Sequence, residues 1–88
     1  MKVEFLEKFN KDLDDIRVSF VKKAIERVIL EAESANNIHQ IRNMKKMKGS
    51  SIAYRIRIGD YRIGVYCEHG IIQFARVANR KDIYRVFP

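Results

Sequence analysis

Apolar and polar residues change period twice along this chain. Val3 and Phe5 alternate with Lys2 and Glu4, which predicts a short edge strand over residues 1–5. Leu6, Phe9 and Leu13 then recur at helical spacing, and with Ile16 they predict a first short helix ending near Asp14-Asp15. A second, longer stripe runs through Phe20, Ala24, Val28 and Ala32, flanked by Val21, Ile25 and Ile29. Its other face mixes Lys22, Lys23 and Arg27 with Glu26, Glu31 and Glu33, as a solvated face does. Asn36-Asn37 breaks that helix. From Ile38 to Ser51 no period persists, and Arg42, Lys45, Lys46 and Lys48 surround Met44 and Met47; the stretch reads as a basic connector anchored on the core by its methionines.

Period two returns at Tyr54. In an extended strand Tyr54, Ile56 and Ile58 share one face and Arg55 and Arg57 the other. Gly59-Asp60 suits a tight hairpin, and a symmetrical register returns Arg62 beside the first two arginines. Glu68-His69-Gly70 makes a second turn between strands at 61–67 and 71–77, so the second half reads as a three-stranded meander. Asn79 caps a short terminal helical turn through Tyr84, ahead of the apolar Val86 and Phe87. The order β-α-α-β-β-β lacks a crossover between the last three strands. It predicts an α+β fold with two N-terminal helices on one face of a small antiparallel sheet, the arginines lying on the other, concave face.

Length and charge sharpen this picture. A chain of 88 residues makes one small domain, 1–88, that buries only about 60–65% of its unfolded surface. Its 47% apolar content is that of a folded protein. Residues 1–44 carry eight basic and eight acidic side chains, residues 45–88 ten and three, so the second half holds the whole surplus of +7. A one-sided basic field is what phosphate binding needs, since each neutralised phosphate releases condensed counterions. Crowded guanidiniums repel one another, so Arg55, Arg57 and Arg62 on one patch point to an absent polyanion rather than to a stabilising role.

The remaining chemistry is sparse. The lone Cys67 excludes an internal disulfide and any multi-cysteine metal site, and it fits a reducing cytoplasm. Cys67 reads as a small core residue, and Tyr54, Tyr61 and Tyr66 as sheet packing. His39 in the connector and His69 in the second turn read as surface residues with no partner at metal-ligand spacing. No apolar run approaches the roughly 20 residues of a membrane helix, and none resembles a secretion signal. No metal, no small-molecule cofactor and no membrane is therefore expected.

Three segments together resemble the RelE/ParE toxin superfamily: Lys45-Lys46-Met47-Lys48-Gly49, Tyr54 to Ile63, and Asn79-Arg80-Lys81-Asp82-Ile83-Tyr84. The likeness spans nearly the whole chain. It implies a toxin of a type II toxin–antitoxin pair with a RelE-like fold and, as partner, a small antitoxin whose acidic or amphipathic segment covers the basic face. RelE-type members cleave messenger RNA in the ribosomal A site; ParE-type members poison DNA gyrase on a similar fold, so fold does not choose between them. The RelE-type pattern has two basic residues before the hairpin, an arginine after its turn, another after the last strand, and a nearby tyrosine. By motif position these fall on Arg55, Arg57, Arg62, Arg80 and Tyr84, which favours a metal-independent, ribosome-dependent endoribonuclease over a gyrase inhibitor.

On that reading Arg57, Arg62 and Arg80 clamp the charge that grows on phosphate during attack by the ribose 2′-hydroxyl. Arg55 orients the nucleotide, and Tyr84 stacks on a splayed base. Lys45, Lys46 and Lys48 contribute charge against RNA, and Arg76 is a peripheral phosphate contact or a solvated side chain. The two positions before the hairpin, often lysine in such sites, are both arginine here. Arginine stabilises charge but is a poor base, so positioning by the ribosome is expected to supply much of the rate.

Overall fold

In a computed structural model that describes all 88 residues, the chain forms β1 (Lys2–Phe5), α1 (Glu7–Asp15), α2 (Ser19–Ser34), a 3₁₀ turn (Ile38–Gln40), β2 (Met44–Lys46), β3 (Ala53–Ile58), β4 (Tyr61–Glu68), β5 (Ile71–Asn79) and α3 (Ile83–Val86). The α+β class and the placement of both N-terminal helices hold. The sheet, however, has five strands in the order β1-β5-β4-β3-β2, and it is mixed rather than wholly antiparallel, because β1 pairs in parallel with β5. The meander is its centre.

The connector expected over 38–51 is thereby corrected. Met44, Lys45 and Lys46 pair with Ile56, Arg55 and Tyr54, which makes β2 an edge strand. A three-residue strand is too short to leave a period in the sequence, and its lysines suit an edge that resists further pairing. Ser50 then launches β3, its hydroxyl accepting the Ile52 and Ala53 N–H groups.

Two apolar clusters hold the layers together. The larger lies between the helices and the sheet, where Phe9, Val21, Ile25 and Ala32 meet Ile56, Ile63, Val65 and Phe74. The buried residues of α2 are Val21, Ile25 and Ala32, so its first turns meet the core through the flanking positions 21 and 25 rather than through Phe20 and Ala24. Phe20 is 70% exposed, because it falls in the first turn of α2 and walls a cleft of about 620 Å³ against β3 instead of meeting the core. At the other end of α2 the charged amino group of Met1 donates to the carbonyls of Ala32 and Glu33, each at 3.1 Å, favourable to a helix C-terminus.

The smaller cluster was not foreseen. Met47, Ala53, Ala75, Ile83 and Phe87 pack on the arginine face, so α3 covers part of a surface expected to be open. Gly64 makes this possible. A Cβ at that position would sit 2.5 Å from Phe87 Cδ2, and only a bare backbone lets the ring lie on the sheet. No helix is long and apolar enough to cross a membrane.

Candidate nucleic-acid interface

The hairpin places the arginines. β3 and β4 pair with Ile58 opposite Tyr61, leaving Gly59-Asp60 as a two-residue turn with Gly59 at φ +62°, a region open to glycine. Arg57 lies directly opposite Arg62, and Arg55 opposite Gly64. Lys45 of β2 pairs with Arg55 on the other side. Ile56 and Ile63 turn into the main core, so the alternating Arg55, Arg57 and Arg62 face away from the two long helices. Arg57 is further held by its own N–H, which donates to the Asn43 carbonyl at 3.1 Å.

Arg62 is the centre of the group. Its Nη1 donates to the carbonyls of Gly59 at 2.8 Å and Tyr61 at 2.9 Å, so the hairpin's own backbone fixes the guanidinium. Desolvation first, then the charges of Arg57, Arg55 and Arg80, hold its pKa below the ordinary arginine value, while Asp60 acts in the opposite direction. The group remains a cation at physiological pH. Four guanidiniums from β3, β4 and the segment after β5 thus converge on one place. A cleft of about 410 Å³ lies among Lys45, Arg55, Arg57 and Arg62.

Arg80 reaches the cluster through a turn after β5. Its N–H donates to the Asp60 carbonyl at 2.7 Å, and its Nε lies 3.9 Å from Asp60 Oδ1. Asn79 organises this turn and does not cap α3: its side-chain oxygen accepts the Lys81 N–H and its carbonyl the Asp82 N–H. The helix begins only at Ile83, which corrects the predicted turn through Tyr84. Tyr84 then lies on α3 with the Arg55 guanidinium carbon 5.4 Å from its ring centroid, within cation–π range. The ring is 59% exposed. Lys46 and Lys48 line a shallow cleft with this pair.

Arg76 does not join them. Its Nε and Nη2 donate to Asp12 at 2.8 and 3.1 Å, and the same carboxylate accepts the Val77 N–H at 3.0 Å. A register shift between Gly64 and Val65 leaves an extra residue on β5, a bulge that turns Arg76 toward α1. Arg76 is largely buried, and its charge is taken by Asp12, which raises its pKa through the hydrogen bond, against desolvation and with added Coulombic support.

The remaining aromatic and titratable side chains lie around the site. Tyr54 and Tyr61 pack on the main core and Tyr66 packs against Phe87, ring centroids 5.0 Å apart and planes tilted by 50°. His39 lies in the 3₁₀ turn and His69 in the turn after β4, both exposed and away from the cluster. Burial pushes the Cys67 thiol up to about 11. No three of His, Cys, Asp and Glu come together in the chain. Sequence reasoning passed over Asp60, Gly64 and Asn43. Asn43 left a signal, since asparagine tolerates the left-handed conformation it adopts at φ +61°; Gly64 left none without knowledge that Phe87 returns over it.

No family model matches the chain. Among characterised proteins, Toxin RelE3 of Methanocaldococcus jannaschii is 40% identical over 89 residues and covers 100% of both chains. The toxin in a RelB-RelE antitoxin-toxin complex from Methanococcus jannaschii superposes with a TM-score of 0.82 at 38% identity, over 97% of this chain and 99% of that one. An archaeal RelE-RelB complex from Pyrococcus horikoshii gives 0.66 at 22% identity over 93% and 97%, a likeness of fold. With this identity sustained over the full length of the relative, the chain belongs to the RelE family of toxins from toxin–antitoxin systems.

Proposed function

We propose that this RelE-family protein is a metal-independent endoribonuclease that cuts messenger RNA presented in the ribosomal A site, and that a cognate antitoxin silences it by covering the arginine face. The convergence of Arg55, Arg57 and Arg80 on Arg62, beside a cleft that Lys45, Arg55, Arg57 and Arg62 line, carries the reading. In this mechanism the ribose 2′-oxygen forms a bond to the adjacent phosphorus as the bond to the 5′-oxygen breaks, leaving a 2′,3′-cyclic phosphate and a 5′-hydroxyl. The nucleophile's proton passes to solvent, and the departing 5′-oxygen takes one up. Negative charge grows on the non-bridging oxygens, and Arg57, Arg62 and Arg80 donate to them. Arg62 needs little reorganisation, because Gly59 and Tyr61 already hold its guanidinium. Tyr84 and Arg55 hold a splayed base and its nucleotide, and Lys45, Lys46 and Lys48 add long-range attraction.

No side chain in the cleft is suited to accept the 2′-hydroxyl proton near neutral pH, which supports dependence on the ribosome for in-line geometry. The known partners of related toxins support the antitoxin: the Methanococcus jannaschii and Pyrococcus horikoshii relatives were each solved with RelB. The decisive assay compares one message, free and on programmed ribosomes, with and without EDTA under conditions that keep the ribosomes intact. Cutting within the A-site codon, unaffected by chelation and largely absent on free RNA, is expected. Intact message together with inhibited supercoiling by DNA gyrase would replace the nuclease with a ParE-like inhibitor.

A further inference from the structure

The arginine cluster contains one acid. Asp60 sits at the tip of the β3–β4 hairpin and opposes the effect that Arg57, Arg55 and Arg80 exert on Arg62. Its carbonyl ties the Arg80 backbone at 2.7 Å, and its Oδ1 lies 3.9 Å from Arg80 Nε. That distance is too long for a hydrogen bond and short enough for Coulombic attraction. Both side chains are mostly exposed, 77% for Asp60 and 59% for Arg80, so the pair is weak and screened by salt. Other acids meet arginines elsewhere, as Asp12 does Arg76 at 2.8 Å, but those pairs are closer and stand apart from the cluster.

We propose that Asp60 is a positioning residue for the cleavage assigned above: its carboxylate serves as resident counter-ion of the arginine cluster and stays beside Arg80 in the complex, aiming that guanidinium across the hairpin tip at the phosphate. The inference rests on reading the cluster as a phosphate clamp. Two effects of opposite sign follow from removing the carboxylate. RNA binds more tightly, because a competing anion is gone from a cationic site. The chemical step slows, because Arg80 loses the charge that orients it while the phosphate is attacked. A residue that merely shaped the turn would not separate binding from rate in this way.

Asp60→Asn tests it while keeping the turn, since asparagine suits that position as well as aspartate does, and the main-chain acceptor for Arg80 is retained. Asp60→Glu returns the charge. Affinity is read by fluorescence anisotropy with a 2′-O-methyl oligoribonucleotide, which cannot be cut, across a range of salt; rate is read by single-turnover cleavage on programmed ribosomes at saturating toxin. D60N is expected to bind about two- to fivefold more tightly at low salt. The slope of log Kd against log salt should steepen by up to about 0.7, the single-strand value for one further ion displaced. Cleavage at saturation should fall at least about threefold, and D60E should move both quantities back toward the parental values. Unchanged or weaker binding by D60N overturns the proposal, and so does an undiminished rate at saturation on ribosomes that the parental protein cuts. If the parental protein binds the oligonucleotide yet cuts nothing, the nuclease reading fails by itself, and the binding arm still decides whether Asp60 is the counter-ion.

Discussion

In the proposed mechanism, replacing Arg62 or Arg80 by alanine removes a guanidinium aimed at charge that appears only as the phosphate is attacked. Cleavage on programmed ribosomes should fall on the order of 10²-fold or more while oligonucleotide affinity falls far less. Circular dichroism and thermal melting control for the fold, and parental rates in both folded variants would place the site elsewhere. Cys67 offers a test with no part in the chemistry. Its thiol is raised from 9.0 to about 11 by burial, so folded and unfolded states are equally protonated there below pH 9. Between pH 9 and 11 the unfolded thiol ionises first, and stability declines through this group as pH rises. Urea midpoints of the parental protein and of Cys67→Ala should therefore converge or cross over that window; parallel curves would mean that the thiol is not desolvated. The same burial predicts slow alkylation by iodoacetamide at pH 8, measured against a cysteine in an unstructured peptide.

Elements carry the site, and the sequence exposed them unevenly. The β3–β4 hairpin was legible because six-residue alternation, a two-residue Gly-Asp turn and symmetrical register are all local properties. β2 and α3 were not, since three- and four-residue elements are set by neighbours distant in sequence. Arg76 shows the same limit: its partner Asp12 lies 64 residues away on α1, and the irregular register beside Gly64 breaks the alternation that would otherwise assign its face. Arg76→Ala should consequently cost stability, about 2–3 kcal/mol for a half-buried charged partner left to Asp12, with RNA affinity little changed. Denaturant melts and anisotropy together separate this from a phosphate-binding role, which would show the reverse. Gly64→Ala addresses α3. Its new Cβ would meet the Phe87 ring at 2.5 Å, and expelling that buried ring should cost about 1–3 kcal/mol. Tyr84 would move away from Arg55 with it, so a rise in tyrosine accessibility to acrylamide quenching should accompany the loss of stability.

At the scale of the whole molecule, charge and topology act together. The surplus of +7 predicts RNA association that weakens steeply with salt, and it accounts for a partner able to neutralise one face. Topology adds a condition in time. β1 takes its place only when residues 71–74 exist to pair with it, and Leu6 donates to the Phe74 carbonyl as the chain turns into α1. The helices and the hairpin are built from local contacts, but the sheet that unites them needs its penultimate stretch of sequence. A chain ending at residue 69 should show no cooperative melting transition and should be digested by trypsin at rates typical of unfolded peptides; a protected, cooperative fragment would contradict this. Arg80 follows β5, so the last guanidinium arrives after the strand that closes the sheet. During synthesis the growing polypeptide therefore carries the arginines of the hairpin without their full arrangement until β5 and the turn after it have been made.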